Sequence, residues 1–175
     1  MKLDISAGAL LVFALAYFFD GSGMLGALLP AVAVHEAGHA AALLVFGARL
    51  RRLRLDIFGL RLDYGGKLGR PAVLCSALAG PAAGLLYAFP AMGAAGQGAK
   101  ISGAISLLLS LFNLLPALPL DGGRALSVLC TPRTVRRSSR VTALLLMAAG
   151  LWALFAHGSL SLLVMGGWLL VYNAG

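Results

Sequence analysis

The chain has 175 residues, of which 60% are hydrophobic and 11% charged, with a mean hydropathy of +0.92 and 14 Lys+Arg against 6 Asp+Glu. A water-soluble domain of this size could not hide so much apolar surface, and a disordered chain would be far more polar. The net charge of +8 has to be reconciled with that composition. One domain, residues 1–175, is the natural count at this length. Cys75 and Cys130 lie far apart in no CxxC pattern, which argues against a disulfide scaffold or a Cys-based zinc site and reads as buried free thiols.

Taken in chain order, six apolar runs predict membrane spans. Residues 5–19 read as an uncleaved first span, the alternative being a signal peptide, although the flank FFDGSG offers no good cleavage site. Residues 24–46 form the second run, interrupted by a charged island. Residues 71–95 and 101–118 follow. Residues 141–157 and 160–172 lie close together, as in an antiparallel helical hairpin. Between the second and third runs, Leu53, Leu55 and Ile57 alternate with charged residues, and so do Leu60, Leu62 and Tyr64 beyond Gly59. Such period-two alternation around a turn predicts a β-hairpin, with an amphipathic loop on the membrane surface as the alternative. The expected fold is an all-α polytopic membrane protein of about six transmembrane helices with a small β-hairpin after the second.

Six spans with the N-terminus inside leave every basic residue except Lys100 on the cytoplasmic side. The charge therefore reads as topology and contact with membrane lipids. Nucleic acid is not expected as a partner, since no aromatic residues interleave the arginines. The expected location is a bacterial inner or cell membrane, multi-pass, with the N-terminus and active site towards the cytoplasm.

The island in the second span is His35-Glu36-Ala37-Gly38-His39. Ionisable groups are costly in hydrocarbon, so three within five positions mark function. His35 and His39 stand four apart on one helical face and can direct two imidazoles at one ion, with Glu36 beside it. This is the HExxH zinc pattern. Catalytic zinc takes a third protein ligand and keeps one position open. Asp4, Asp20, Asp56 and Asp63 lie in flanks or the basic loop, and His157 reads as an interfacial histidine. Asp121 is the better candidate, because Pro116, Pro119, Gly122 and Gly123 predict irregular backbone around it, tolerated at membrane depth only when buried or lining a cavity. The alternative is a charged residue that ends a helix. His39 lies about 10 Å from the cytoplasmic end of its span and Asp121 opens the next basic segment, so both fall in the same half of the membrane.

Together these residues resemble the site-2 protease family of intramembrane zinc metalloproteases (peptidase family M50). The resemblance rests on His35-Glu36-Ala37-Gly38-His39 and on the segment from Asn113 through Pro119 to Asp121-Gly122-Gly123-Arg124, with Ala79-Gly80-Pro81 as a further element. It covers roughly residues 24–130, the expected catalytic core, followed by the hairpin at about 141–173. It implies one zinc per chain held by His35, His39 and Asp121, Glu36 as the catalytic base, and Asn113 and Pro119 near the active site. The implied activity is metalloendopeptidase cleavage of transmembrane or membrane-associated substrates, with a membrane regulator as a further partner. The compact layout looks most like the branch of stage IV sporulation protein FB, which implies processing of a membrane-tethered pro-transcription factor. No room remains after Gly175 for the nucleotide-sensing domain that such relatives often carry. Many relatives also have Asn where this chain has Gly84. A non-catalytic scaffold and a zinc transporter are the rival functions. An intact Glu36 argues against the first, and a single ionisable cluster against the second. A substrate helix must unwind before cleavage, and Leu53, Leu55 and Ile57 are the expected place for it to pair as an added strand.

Overall fold

A computed structural model describes residues 2–6, 14, 18, 20, 23–56, 59–66 and 68–174. The expected first span, residues 5–19, lies largely outside them. The elements are β1 (Lys2–Ile5), α1 (Met24–Val45), β2 (Arg49–Asp56), β3 (Gly59–Gly65), α2 (Arg70–Gly93), α3 (Gln97–Asn113), α4 (Asp121–Leu129), α5 (Pro132–His157) and α6 (Ser161–Tyr172). By length and composition α1, α2 and α5 can each cross a membrane. Among them, the 22 residues of α1 rise about 33 Å, enough for a hydrocarbon core of about 30 Å. The fourth and sixth expected spans are shorter helices, of 17 residues in α3 and 12 in α6. Pro116 keeps α3 from reaching the predicted end at residue 118, since the ring cannot continue the hydrogen-bond ladder.

The chain divides into two compact units, residues Met1–Leu111 and Phe112–Gly175. In the first unit, α1 begins where Asp20 accepts hydrogen bonds from the Met24 and Leu25 amides at 2.9 and 2.7 Å. It ends in a reversal at Gly47 (φ 75°), where the Gly47 amide donates to Leu44 and the Ala48 amide to Leu43. This pairing satisfies carbonyls that the helix end would orphan, and a left-handed residue there favours glycine. The faces of α1 and α2 meet through small residues. A Cβ on Gly38 would strike the Ala79 carbonyl and the Ala83 side chain. Close backbone approach of this kind drives helix pairing where lipid supplies no hydrophobic force.

A second small-residue seam joins α2 to α3. Ser102, Ser106 and Ser110 recur every fourth residue and are at most 2% exposed. Ser106 donates to the Gly84 carbonyl at 2.9 Å, and Ser102 lies 3.0 Å from the Tyr87 hydroxyl. Any side chain at Gly84 would collide with Ser110, and one at Gly103 with the backbone of Ala88 and Met92. The seam therefore has no space for an Asn at position 84.

The expected hairpin is present, with β2 antiparallel to β3 in the register Leu53 to Leu62 and Leu55 to Leu60, and a bulge near Arg51. Ile57 lies outside the described residues. One feature differs from expectation. β1 pairs parallel with β2, Lys2 against Arg52 through Ile5 against Leu55, so the sheet runs β1-β2-β3. Leu53 and Leu55 thus belong to a central strand whose two edges are already hydrogen-bonded. The proposal that a substrate strand pairs there is corrected: while β1 stays in place, the open edges of this sheet are those of β1 and β3.

In the second unit, α5 and α6 form the predicted hairpin. Gly150 abuts the Leu163 backbone, and Gly166 abuts Met147 and the Ala143 carbonyl, an antiparallel register. Replacing Gly166 with Val is expected to wedge this contact open, lowering stability by about 1–3 kcal/mol. A thermal melt in detergent reads this as a fall in midpoint, and an unchanged midpoint would show that the hairpin does not depend on the contact. Thr131 caps α5 by accepting the Thr134 amide at 3.3 Å, with Pro132 at the first helical position. Arg133, Arg136, Arg137 and Arg140 are therefore helical, and the helix begins ahead of the apolar run expected at residues 141–157.

Cys75 and Cys130 are free thiols as expected, but Cys75 is exposed and Cys130 half-buried. The expectation of burial assumed that an apolar group needs a protein interior. On a helix suited to a membrane, its surroundings are lipid tails.

Candidate metal centre

His35 and His39 lie one turn apart on α1. His35 is buried, at 3% exposure, and His39 is half-buried. Their Nε2 atoms are 3.2 Å apart, and the rings stand edge to face at 80°. His39 Nδ1 lies 2.6 Å from the Ser76 carbonyl on α2. A carbonyl can only accept, so His39 donates its Nδ1 proton to it, and the lone pair of the neutral ring is then at Nε2, facing His35. That is how an outer hydrogen bond fixes a metal-binding imidazole. Two nitrogens on a tetrahedral zinc would lie about 3.3 Å apart at ordinary Zn–N lengths. The pair therefore fits a zinc ion in spacing and in the direction of its lone pairs.

Two residues that sequence reasoning did not assign shape this pair. Gly80 lies directly against the His39 ring, where a Cβ would fall on Nε2, Cε1 and Cδ2. Ser76, four residues earlier on the same face of α2, supplies the carbonyl. Gly80 was visible only as the middle of Ala79-Gly80-Pro81. The available signal was that Ser76 and Gly80, small and four apart, share a helical stripe. Glu36 follows His35 on α1 and is half-buried.

In the second unit, Asp121 is 6% exposed and opens α4. The sequence placed it on irregular backbone. The irregular stretch instead ends at Leu120, the N-cap, and Asp121 sits in the first helical turn, where a carboxylate is favoured by the helix dipole. Gly122 and Gly123 permit this, since a side chain on either would strike carbonyls of Leu114, Leu115 or Ala117. Arg124 approaches Asp121 at 3.8 Å, with most of its side chain in the open. The preceding loop is pinned at Leu118, whose amide donates to Ser139 Oγ (3.0 Å) and whose carbonyl accepts from Asn173 (2.8 Å). Ser138 donates to the Pro116 carbonyl at 2.8 Å. Asn113 closes α3, and Pro119 follows a cis peptide bond; both are half-buried. His157 is exposed and packs edge-on against Trp152, in keeping with an interfacial histidine.

The family model for peptidase family M50 matches residues 91–157, which contain the Asn113–Asp121 segment. Rip3 of Mycobacterium tuberculosis, an inferred zinc metalloprotease, is 36% identical over 178 residues, covering 89% of this chain and 44% of its own length. An inferred zinc metalloprotease of Synechocystis, sll0528, is 31% identical over 178 residues, covering 87% of this chain and 46% of its own. The solved site-2 protease of Methanocaldococcus jannaschii superposes with a TM-score of 0.63 at 20% identity, over 98% of this chain and 88% of that one. The chain is similar to zinc metalloproteases of peptidase family M50 and has the fold of a site-2 protease. It spans about half the length of the curated relatives it matches. The site-2 protease fold accounts for a mostly helical membrane protein that carries a small sheet. The metal implied by this family is zinc, for which the two imidazoles and a carboxylate are suitable donors.

Proposed function

We propose that this chain is an intramembrane zinc metalloendopeptidase acting on transmembrane or membrane-associated proteins. The observation that carries the reading is the His35–His39 pair, 3.2 Å apart with His39 oriented by Ser76 and Glu36 next in sequence. Asp121 supplies the third ligand in this reading, one zinc is held per chain, and both units act as one catalytic domain. Zinc bound there would supply Lewis acidity towards water and a peptide carbonyl. Glu36 takes the proton from the attacking water and delivers it to the amide nitrogen as the carbon–nitrogen bond breaks, so that the new terminus leaves as an amine. The Asn113 amide donates to the carbonyl oxygen as negative charge develops on it. Pro119 holds the loop that leads to Asp121. A scaffold would not need Glu36. A transporter would need ionisable groups along a path through the apolar runs, and the sequence offers one such cluster.

The proposed orientation is multi-pass, in a bacterial cell membrane, with the N-terminus and the metal towards the cytoplasm. A membrane-tethered pro-transcription factor and a membrane regulator remain part of the proposal. The test is cleavage of a reporter with one apolar span by reconstituted protein, with bound zinc quantified. Wild type is expected to hold one zinc and cleave, and Asp121→Asn to lose most of both. Full zinc content in Asp121→Asn would remove Asp121 from the ligand set.

A further inference from the structure

Four arginines of α5, Arg133, the adjacent pair Arg136 and Arg137, and Arg140, fall three or four residues from one another across the pair and so share one broad face. They occupy about 10 Å of helix at the end where α5 enters its apolar stretch. All four are exposed. Arg140 also donates to the Asn173 carbonyl, at 3.4 Å. The acid available to this unit is Asp121, and Arg124 faces it. Within this unit the charge of the four therefore has no carboxylate to offset it other than Asp121. With Val141 and Leu144 they line a groove of about 420 Å³.

The stripe does not stop at the arginines. Val141, Leu144, Leu151 and Phe155 continue it along the helix, each about half exposed or more. An adjoining face is taken up by α6, through Gly150, Ala143 and Met147. The face therefore presents concentrated positive charge at one end and a lane of open apolar surface running from it.

We propose that this face is a binding site for an anionic phospholipid whose headgroup carries two phosphates. The phosphates take the guanidinium cluster, and an acyl chain lies along Val141, Leu144 and the residues beyond. Arginine suits this role because its planar fork pairs two phosphate oxygens at once and stays charged at any physiological pH. One phosphodiester would leave most of the cluster unpaired, whereas two phosphates bridged by a short linker span its length. The amino end of α5, with its partial positive charge, adds to the attraction.

The test uses purified protein in a non-ionic detergent, with bound molecules read by native mass spectrometry. Titrants are diphosphatidylglycerol, phosphatidylcholine, pyrophosphate and a short RNA. Diphosphatidylglycerol is expected to bind about tenfold or more tightly than phosphatidylcholine, and Arg136→Gln with Arg137→Gln to erase that preference. Arg136→Lys with Arg137→Lys should keep part of it, which separates lost charge from lost fold. Equal binding of both lipids would overturn the proposal, and so would displacement of the lipid by equimolar pyrophosphate or tighter binding of the RNA. None of these arms reads proteolysis, so the lipid site and the proposed activity stand or fall separately.

Discussion

Glu36→Gln is expected to leave bound zinc near one per chain while cleavage falls by about 10²–10⁴-fold, the usual contribution of a positioned acid–base group. The substitution keeps the size and hydrogen-bonding span of the side chain and removes its ability to hold a proton in transit. The ligands are untouched, since His39 stays oriented by the Ser76 carbonyl and His35 stays in its buried place on α1. The loss should therefore appear in kcat, with little change in zinc affinity or substrate retention. A variant that kept wild-type turnover would refute the assignment of Glu36. One that lost zinc as well would show that Glu36 helps to hold the metal.

Gly80→Ala is expected to weaken zinc binding by about 10–100-fold, the range seen when an outer partner of a metal ligand is disturbed. One added methyl group would fall on the His39 imidazole, and the ring has little freedom to yield because its far nitrogen is held by Ser76. Either the ring turns and that bond is lost, or α2 moves back from α1. Both outcomes spoil the facing of the two Nε2 atoms. A zinc-buffered titration measures the loss, and saturating zinc should restore part of the cleavage. Gly84→Ala is the comparison. Its methyl would meet Ser110 in the other seam of α2, so it should cost stability and keep zinc affinity. Equal affinity in Gly80→Ala and wild type would mean that α2 does not seat His39.

Much of the site was legible before the structure because its chemistry is local. His35, Glu36 and His39 fall within five residues of one helix, and helical periodicity alone puts the two rings together. The hairpin was legible because alternation has a period of two wherever it occurs. What stayed hidden depends on register between distant segments. β1 has four residues and pairs with a strand some fifty positions later, a parallel match that no local pattern announces. Ser76 and Gly80 gain meaning only from the rotation of α2 against α1. α4 was missed because Pro116 and Pro119 read as a general break, although Gly122 and Gly123 could also be the close-contact positions of a new helix. The start of α5 was written in Thr131-Pro132, a cap followed by a residue suited to the first helical position, but the run of arginines after it drew the reading towards a loop.

The serine seam between α2 and α3 has a mechanical consequence. Ser106 and Ser110 meet α2 at Gly84, and Gly103 meets the backbone of Ala88 and Met92, so over this part of the seam hydroxymethyl groups and backbone set the separation between the two helices. Long side chains would absorb a displacement by changing rotamer, and these have almost no reach to do so. A shift of α2 that moved Ser76 and Gly80 would therefore pass to α3 nearly undamped, and the two helices should move as one stiff plate.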